Sequence, residues 1–207
     1  GLRVKDVPGA SSCFKTFEGV PVPHSWRRHD VDQPMRLVGA GLGLWGLRDV
    51  PLVGQHEVRD AIWAKLRSVV DNPRLSVVVL DGAAGVGKSR LSQWISRRAH
   101  EVGCATTMAA SHTVDRGFNE GLRGLVSGYI RSRGLDHNDT MGRVRQCLER
   151  HGVQDEWEWE TLTAWLVPGD ATDDIARSDP GVAQQLVGQF LRRVATRRPL
   201  ILRLEDL

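Results

Sequence analysis

Hydrophobic positions along the chain alternate between helical stripes and short apolar runs. From Gln55 to about Val70, Val58, Ile62, Leu66 and Val69 fall on one stripe with Trp63 beside it, which predicts a helix stopped by Asp71, Asn72 and Pro73. Leu75 to Leu80, LSVVVL, is a β-branched run of strand length ending at Asp81, and after a glycine-rich stretch Leu91, Trp94, Ile95, Arg98 and Ala99 recur at helical spacing. Cys104 to Ser111 reads as a second strand introduced by Gly103. Phe118 to Ile130 reads as a helix weakened by Gly121, Gly124 and Gly128. Thr140 to Arg150 is a further helix ended by Gly152, and Gly181 to Thr196 another, with Pro168 to Pro180 a polar loop before it. Asp155 to Leu166 clusters Trp157, Trp159 and Trp165 behind acids that suit a helix N-terminus; its aromatics serve a core or a partner surface, with core favoured. Pro199 to Leu204, PLILRL, closes the series as a strand.

The order of strand, glycine loop and helix gives the stretch between Asp81 and Leu91 its meaning. Gly82, Ala83, Ala84, Gly85, Val86, Gly87, Lys88 and Ser89 fit the phosphate-loop pattern of Gly, any four residues, Gly, Lys, Ser or Thr. Glycines let backbone N–H groups curl inward without Cβ clashes, and a helix starting near Gly87 adds the positive end of its dipole. In that pattern Lys88 reaches the β and γ phosphates and the Ser89 hydroxyl holds Mg²⁺. The terminal strand adds a second signal, because Glu205 and Asp206 follow it directly. Acids at a strand's carboxyl end suit the Walker B role of holding hydrated Mg²⁺ and polarising water, although two such acids also suit a cap or turn. The phosphate loop upstream favours the metal role.

Composition narrows the remaining chemistry. In 207 residues, Lys+Arg number 28 against Asp+Glu 25, and the arginine pairs fall on expected helix ends and faces, so nucleic-acid binding has little support. Cys13, Cys104 and Cys147 share no metal-like spacing and read as reduced cytosolic thiols. No apolar run reaches the ~18 residues of a membrane span. The histidines lack ligand spacing, and no serine has the GxSxG context. Gly41, Gly43 and Gly46 satisfy GxGxxG, but Pro51 follows before any helical face develops, so a flexible lead-in segment is expected there and not a dinucleotide site. Residues 1–35, with Pro8, Pro21, Pro23 and Pro34 and no sustained periodicity, read as a linker or the tail of a preceding domain, 36–54 as the Gly-rich lead-in, and 55–207 as the N-terminal part of an ATPase domain. The chain opens on Gly1 and closes just after an apolar run, and is expected to be an internal fragment.

Three stretches, PLVGQHEVRDAIWAKL, VVVLDGAAGVGKSRL and PLILRLEDL, together resemble the ORC-like AAA ATPase modules of large bacterial signalling proteins of the STAND class. RLVGAGLGLWGLRDVPLVG resembles the linker that joins a serine/threonine protein kinase domain to such an ATPase. The resemblance covers about Arg36 to Leu207 and implies an α/β P-loop NTPase fold: a three-layer sandwich with a parallel sheet, truncated just after the Walker B strand. It implies that Gly82 through Ser89, with Arg90 adjoining, grip ATP and Mg²⁺, that Val53 and Gly54 lie near the adenine, and that Glu205 and Asp206 are the Walker B acids, Asp206 activating water. Gln55 stands where the family usually has Arg, and Glu205 where it usually has Asp. The family's sensor strand, which sits between the Walker A and Walker B strands, comes later in its chain, as do its lid and winged helix. The implied function is a cytoplasmic nucleotide-controlled switch in bacterial signalling or transcriptional regulation, with protein partners or self-association in the full-length regulator, no membrane and no direct nucleic-acid binding. Rival readings are an ADP-holding interaction scaffold without turnover and, further off, part of a phosphotransferase.

Overall fold

The computed structural model describes residues 3–7, 17, 19–27, 52–111, 117–167 and 180–205. Residues 36–51 of the lead-in segment, Gly41, Gly43 and Gly46 among them, and the acid Asp206 lie outside these residues.

Strands and helices alternate through most of the chain. Strand β1 (Arg3–Val7) precedes helix α1 (His56–Asp71), and β2 (Val77–Asp81) leads into α2 (Lys88–Glu101). Strand β3 (Thr106–Ser111) is followed by α3 (Gly117–Ile130), α4 (His137–Arg150), α5 (Glu156–Leu166) and α6 (Pro180–Val194), and then by β4 (Leu200–Glu205). The strands form two pairs. β3 and β4 run parallel, with Thr106 opposite Leu200 and Ser111 opposite Glu205. β1 and β2 run antiparallel, with Arg3 opposite Asp81 and Val7 opposite Val77. The β1 pairing is the main departure from the sequence pattern: RVKDV is a short strand with no helical or alternating context around it, and only its partner reveals it.

The parallel pair lies between two apolar clusters, which gives the molecule its α/β character. On one side Trp63 and Leu66 of α1, Leu91, Ile95 and Ala99 of α2, and Cys104 and Ala105 pack with Val78, Leu80 and Ile201. On the other, Met108 and Leu200 meet Leu125, Val126 and Ile130 of α3, Val144 and Leu148 of α4, Leu162 and Trp165 of α5, and Val187, Phe190 and Val194 of α6. Successive residues Leu200 and Ile201 thus serve opposite clusters, as the two-residue period of a strand requires.

Local chemistry explains the helix boundaries. Asp136 caps α4 by accepting from Asp139 N–H at 2.8 Å, and this polar first turn carries the helix back to His137, ahead of the apolar stripe that begins at Met141. Asp155 caps α5 through Trp157 N–H at 3.0 Å. The three tryptophans of that segment divide by face: Trp165 is fully buried, Trp159 packs partly buried against the cluster, and Trp157 is 68% exposed.

Candidate functional site

The stretch singled out by the sequence lies where β2 ends and α2 begins. Asp81 is the last residue of β2, residues 82–87 form the loop, and Lys88 opens α2. Gly85 (φ 80°) and Gly87 (φ 93°) take left-handed backbone that a side chain would strain, and Gly87 is the N-cap of α2. The helix ladder starts with Leu91 N–H donating to the Gly87 carbonyl, so the amides ahead of it belong to the loop end of the helix. The Lys88 ammonium folds over the loop and donates to the carbonyls of Gly82 at 2.7 Å and Ala83 at 2.9 Å. Ser89 is exposed in the first turn; Ala83, Ala84 and Gly85 are exposed, while Val86, Gly87 and Arg90 are half-buried. Basic residues Arg98 and His100 occupy the last turn of α2, where they complement the dipole.

The lead-in to α1 is tied to this loop. Gly54 (φ 76°) and Gln55 (φ 53°) form two consecutive left-handed residues, and Gln55 is the N-cap of α1 yet makes no capping bond to its own helix. Its amide Nε2 reaches across 31 residues of chain to donate to the Val86 carbonyl at 2.9 Å. Val53 is 83% exposed. Arg59, one turn into α1, holds the carbonyls of Leu52 at 3.3 Å and Gly54 at 3.4 Å.

Sequence reasoning missed what supports Arg59. Its guanidinium lies 3.6 Å from the Trp26 ring centre and 4.5 Å from that of Trp94, a cation seated in the corner that the two perpendicular indoles make. Trp26 is 93% buried; its indole N–H donates to Asp60 at 2.6 Å, its ring meets Trp94 edge-on at 5.2 Å, and its carbonyl accepts from Arg98 Nε at 2.7 Å. Arg27 adds a two-pronged pair to Asp60 at 2.8 and 2.9 Å. These bonds from Arg27 and then Trp26 hold the Asp60 carboxyl below the usual carboxylate range, while burial and the nearby Arg27 lower the Arg59 pKa. Trp63 donates its indole N–H to the Pro23 carbonyl at 2.9 Å, so residues 20–27 are docked on α1 and α2 through aromatic anchors. The available signal was Trp26 itself, an indole amid prolines.

The second acidic position is only partly described. Glu205 is the final residue of β4, opposite Ser111. β2 and β4 are not paired with each other among the described residues, although Val78, Leu80 and Ile201 join the same cluster under α2. No group of three or more His, Cys, Asp or Glu gathers among the described residues. Cys104 and Cys147 are free and buried, and burial pushes both thiols up, away from nucleophilic use. No helix among the described residues is long and apolar enough to cross a membrane.

No protein-family profile, no curated protein and no solved structure matches the chain.

Proposed function

We propose that the chain is the nucleotide-binding part of an ATP-controlled switch with a P-loop NTPase fold, resembling the STAND-class ATPase modules of bacterial cytoplasmic regulators. The observation that carries this reading is the junction of β2, residues 82–87 and α2: left-handed glycines at the turn, a helix N-terminus facing it, and the Lys88 ammonium held over the loop by the carbonyls of Gly82 and Ala83. Those carbonyls hold a cation where a polyphosphate would compete for it, and charge-assisted bonds to phosphate oxygens are stronger than bonds to neutral carbonyls. The donor set suits Mg²⁺ carried in with the nucleotide, since magnesium keeps few protein ligands; Ser89 and the acids Glu205 and Asp206 are the residues that would hold it. Bound Mg²⁺ would offset the charge of the phosphates. Lys88 and the loop amides would stabilise charge on the γ phosphate, and Asp206 would orient the attacking water. Adenine rather than guanine rests on the resemblance and on the absence of an NKxD guanine-reading motif from the sequence.

Among the described residues β2 and β4 are not paired with each other, which is compatible with the resemblance, in which the family's sensor strand lies between the Walker A and Walker B strands.

Calorimetric titration of MgATP and MgADP into the chain and its Lys88→Ala variant tests the reading. Loss of charge-assisted contacts worth roughly 1.5–3 kcal/mol weakens affinity about 10- to 150-fold. Equal affinity in the variant rejects the phosphate-loop assignment.

A further inference from the structure

The backbone at Gln55 is out of keeping with its residue type. A glutamine at φ 53° sits in a left-handed conformation that glycine and asparagine tolerate better, and it stands at an N-cap where Ser, Thr, Asp or Asn would bond to the helix. Its side chain leaves α1 uncapped and crosses to a carbonyl in the neighbouring loop. Strain at one residue persists only where surrounding structure fixes it. Here Arg59, packed against Trp26 and Trp94, holds the Leu52 and Gly54 carbonyls on the near side, and the bond to Val86 fixes the far side.

We propose that Gln55 is a positioning residue for the phosphate loop: by holding the Val86 carbonyl it sets the Val86–Gly87 peptide plane so that the Gly87 N–H faces the bound phosphate. The inference rests on the nucleotide reading above. Its geometry is elementary. In a planar trans peptide the C=O and the following N–H point in opposite directions, so a donor that fixes the Val86 oxygen on the α1 side turns the Gly87 N–H to the other side of the loop. Gly87, as a left-handed glycine, has a backbone free to rotate away without that restraint. The approach is close: a Cβ on Gly87 would lie 3.4 Å from Gln55 Nε2, so the amide is seated directly on this residue. The other amide atom, Oε1, is buried without a partner among the described residues, so the side chain is held by its Nε2 bond at a cost in desolvation. Neither Val53 nor Gly54 has a side-chain donor, so among the described residues Gln55 is the one that ties the start of α1 to the loop.

Two substitutions separate the side chain from its backbone. Gln55→Met keeps length and removes the donor; Gln55→Gly removes the side chain and relieves the left-handed strain. With the full 207-residue chain, the carbonyl ¹³C resonance of Val86 and the amide resonance of Gly87 are recorded without nucleotide, and MgATP is then titrated into each protein. Both variants are expected to shift the Val86 carbonyl resonance upfield and to bind MgATP about 3- to 10-fold more weakly. Gln55→Gly is expected to do so with no loss of thermal midpoint, which a purely structural role for Gln55 would not produce. Unmoved Val86 and Gly87 resonances, or wild-type affinity in the glycine variant, overturn the assignment. If the wild-type chain binds no MgATP while the resonances move, the nucleotide reading falls and the hold of Gln55 on the loop stands.

Discussion

At the scale of residues, one indole organises the surroundings of the loop. Trp26 brings together Arg59, Arg27, Asp60, Trp94 and Arg98, and it does so from a segment whose prolines suggested a linker or the tail of a preceding domain. Burying a cation against two indole rings is stable because the ring quadrupoles replace part of its lost hydration. Trp26→Ala removes a large buried side chain and one of those rings, and is expected to cost about 3–5 kcal/mol in urea unfolding. Trp157→Ala, at an indole that is 68% exposed, is expected to change little. The loop was legible from composition because glycine, lysine and serine at fixed spacing report backbone demands directly. The Trp26 contacts were not, since Arg98 lies 72 residues away and no local pattern encodes a pairing over that distance.

At the scale of elements, the helices were readable from their apolar stripes, and β2, β3 and β4 from runs of strand length set off by flanking glycine, proline or acids. Boundaries moved where polar residues did the work: α4 begins at His137 through the Asp136 cap, and the last run extends to Glu205 because it pairs with Ser111. Strand β1 was not readable, since five residues with no alternation of their own gain order only from the register with β2. That register sets a prediction. Removing residues 1–7 leaves β2 without its described partner, so amide exchange across Val77–Asp81 is expected to speed up while Thr106–Ser111, paired to β4, keeps its protection. Equal protection of β2 in the shortened chain would mean that another segment supports it.

At the scale of the whole molecule, two clusters on either side of the parallel pair carry the stability, and two titrating groups make it depend on pH. Burial, with Arg197 and Arg150 nearby, pushes His151 below its ordinary imidazole value, and its Nδ1 is buried without a partner. The unfolded chain therefore takes up the proton first, and stability that is full above about pH 6.5 declines as pH falls toward the lower folded value. Asp60 is ionised and paired in the fold, so its contribution is full above about pH 3.9 and is lost below that. Urea midpoints measured across acidic pH are expected to fall in two stages, the upper one flattened by His151→Gln and the lower one by Asp60→Asn. The same architecture has a bearing on solubility. β2 is joined only to β1 and β4 only to β3 among the described residues, and Val77, Val79, Leu202 and Leu204 are exposed on them. Among the described residues each pair leaves ladder edges unpaired beside apolar, β-branched or leucine-rich sequence, the combination that recruits strands from other chains. Self-association through those edges is therefore expected to grow with protein concentration, which light scattering across a dilution series would read.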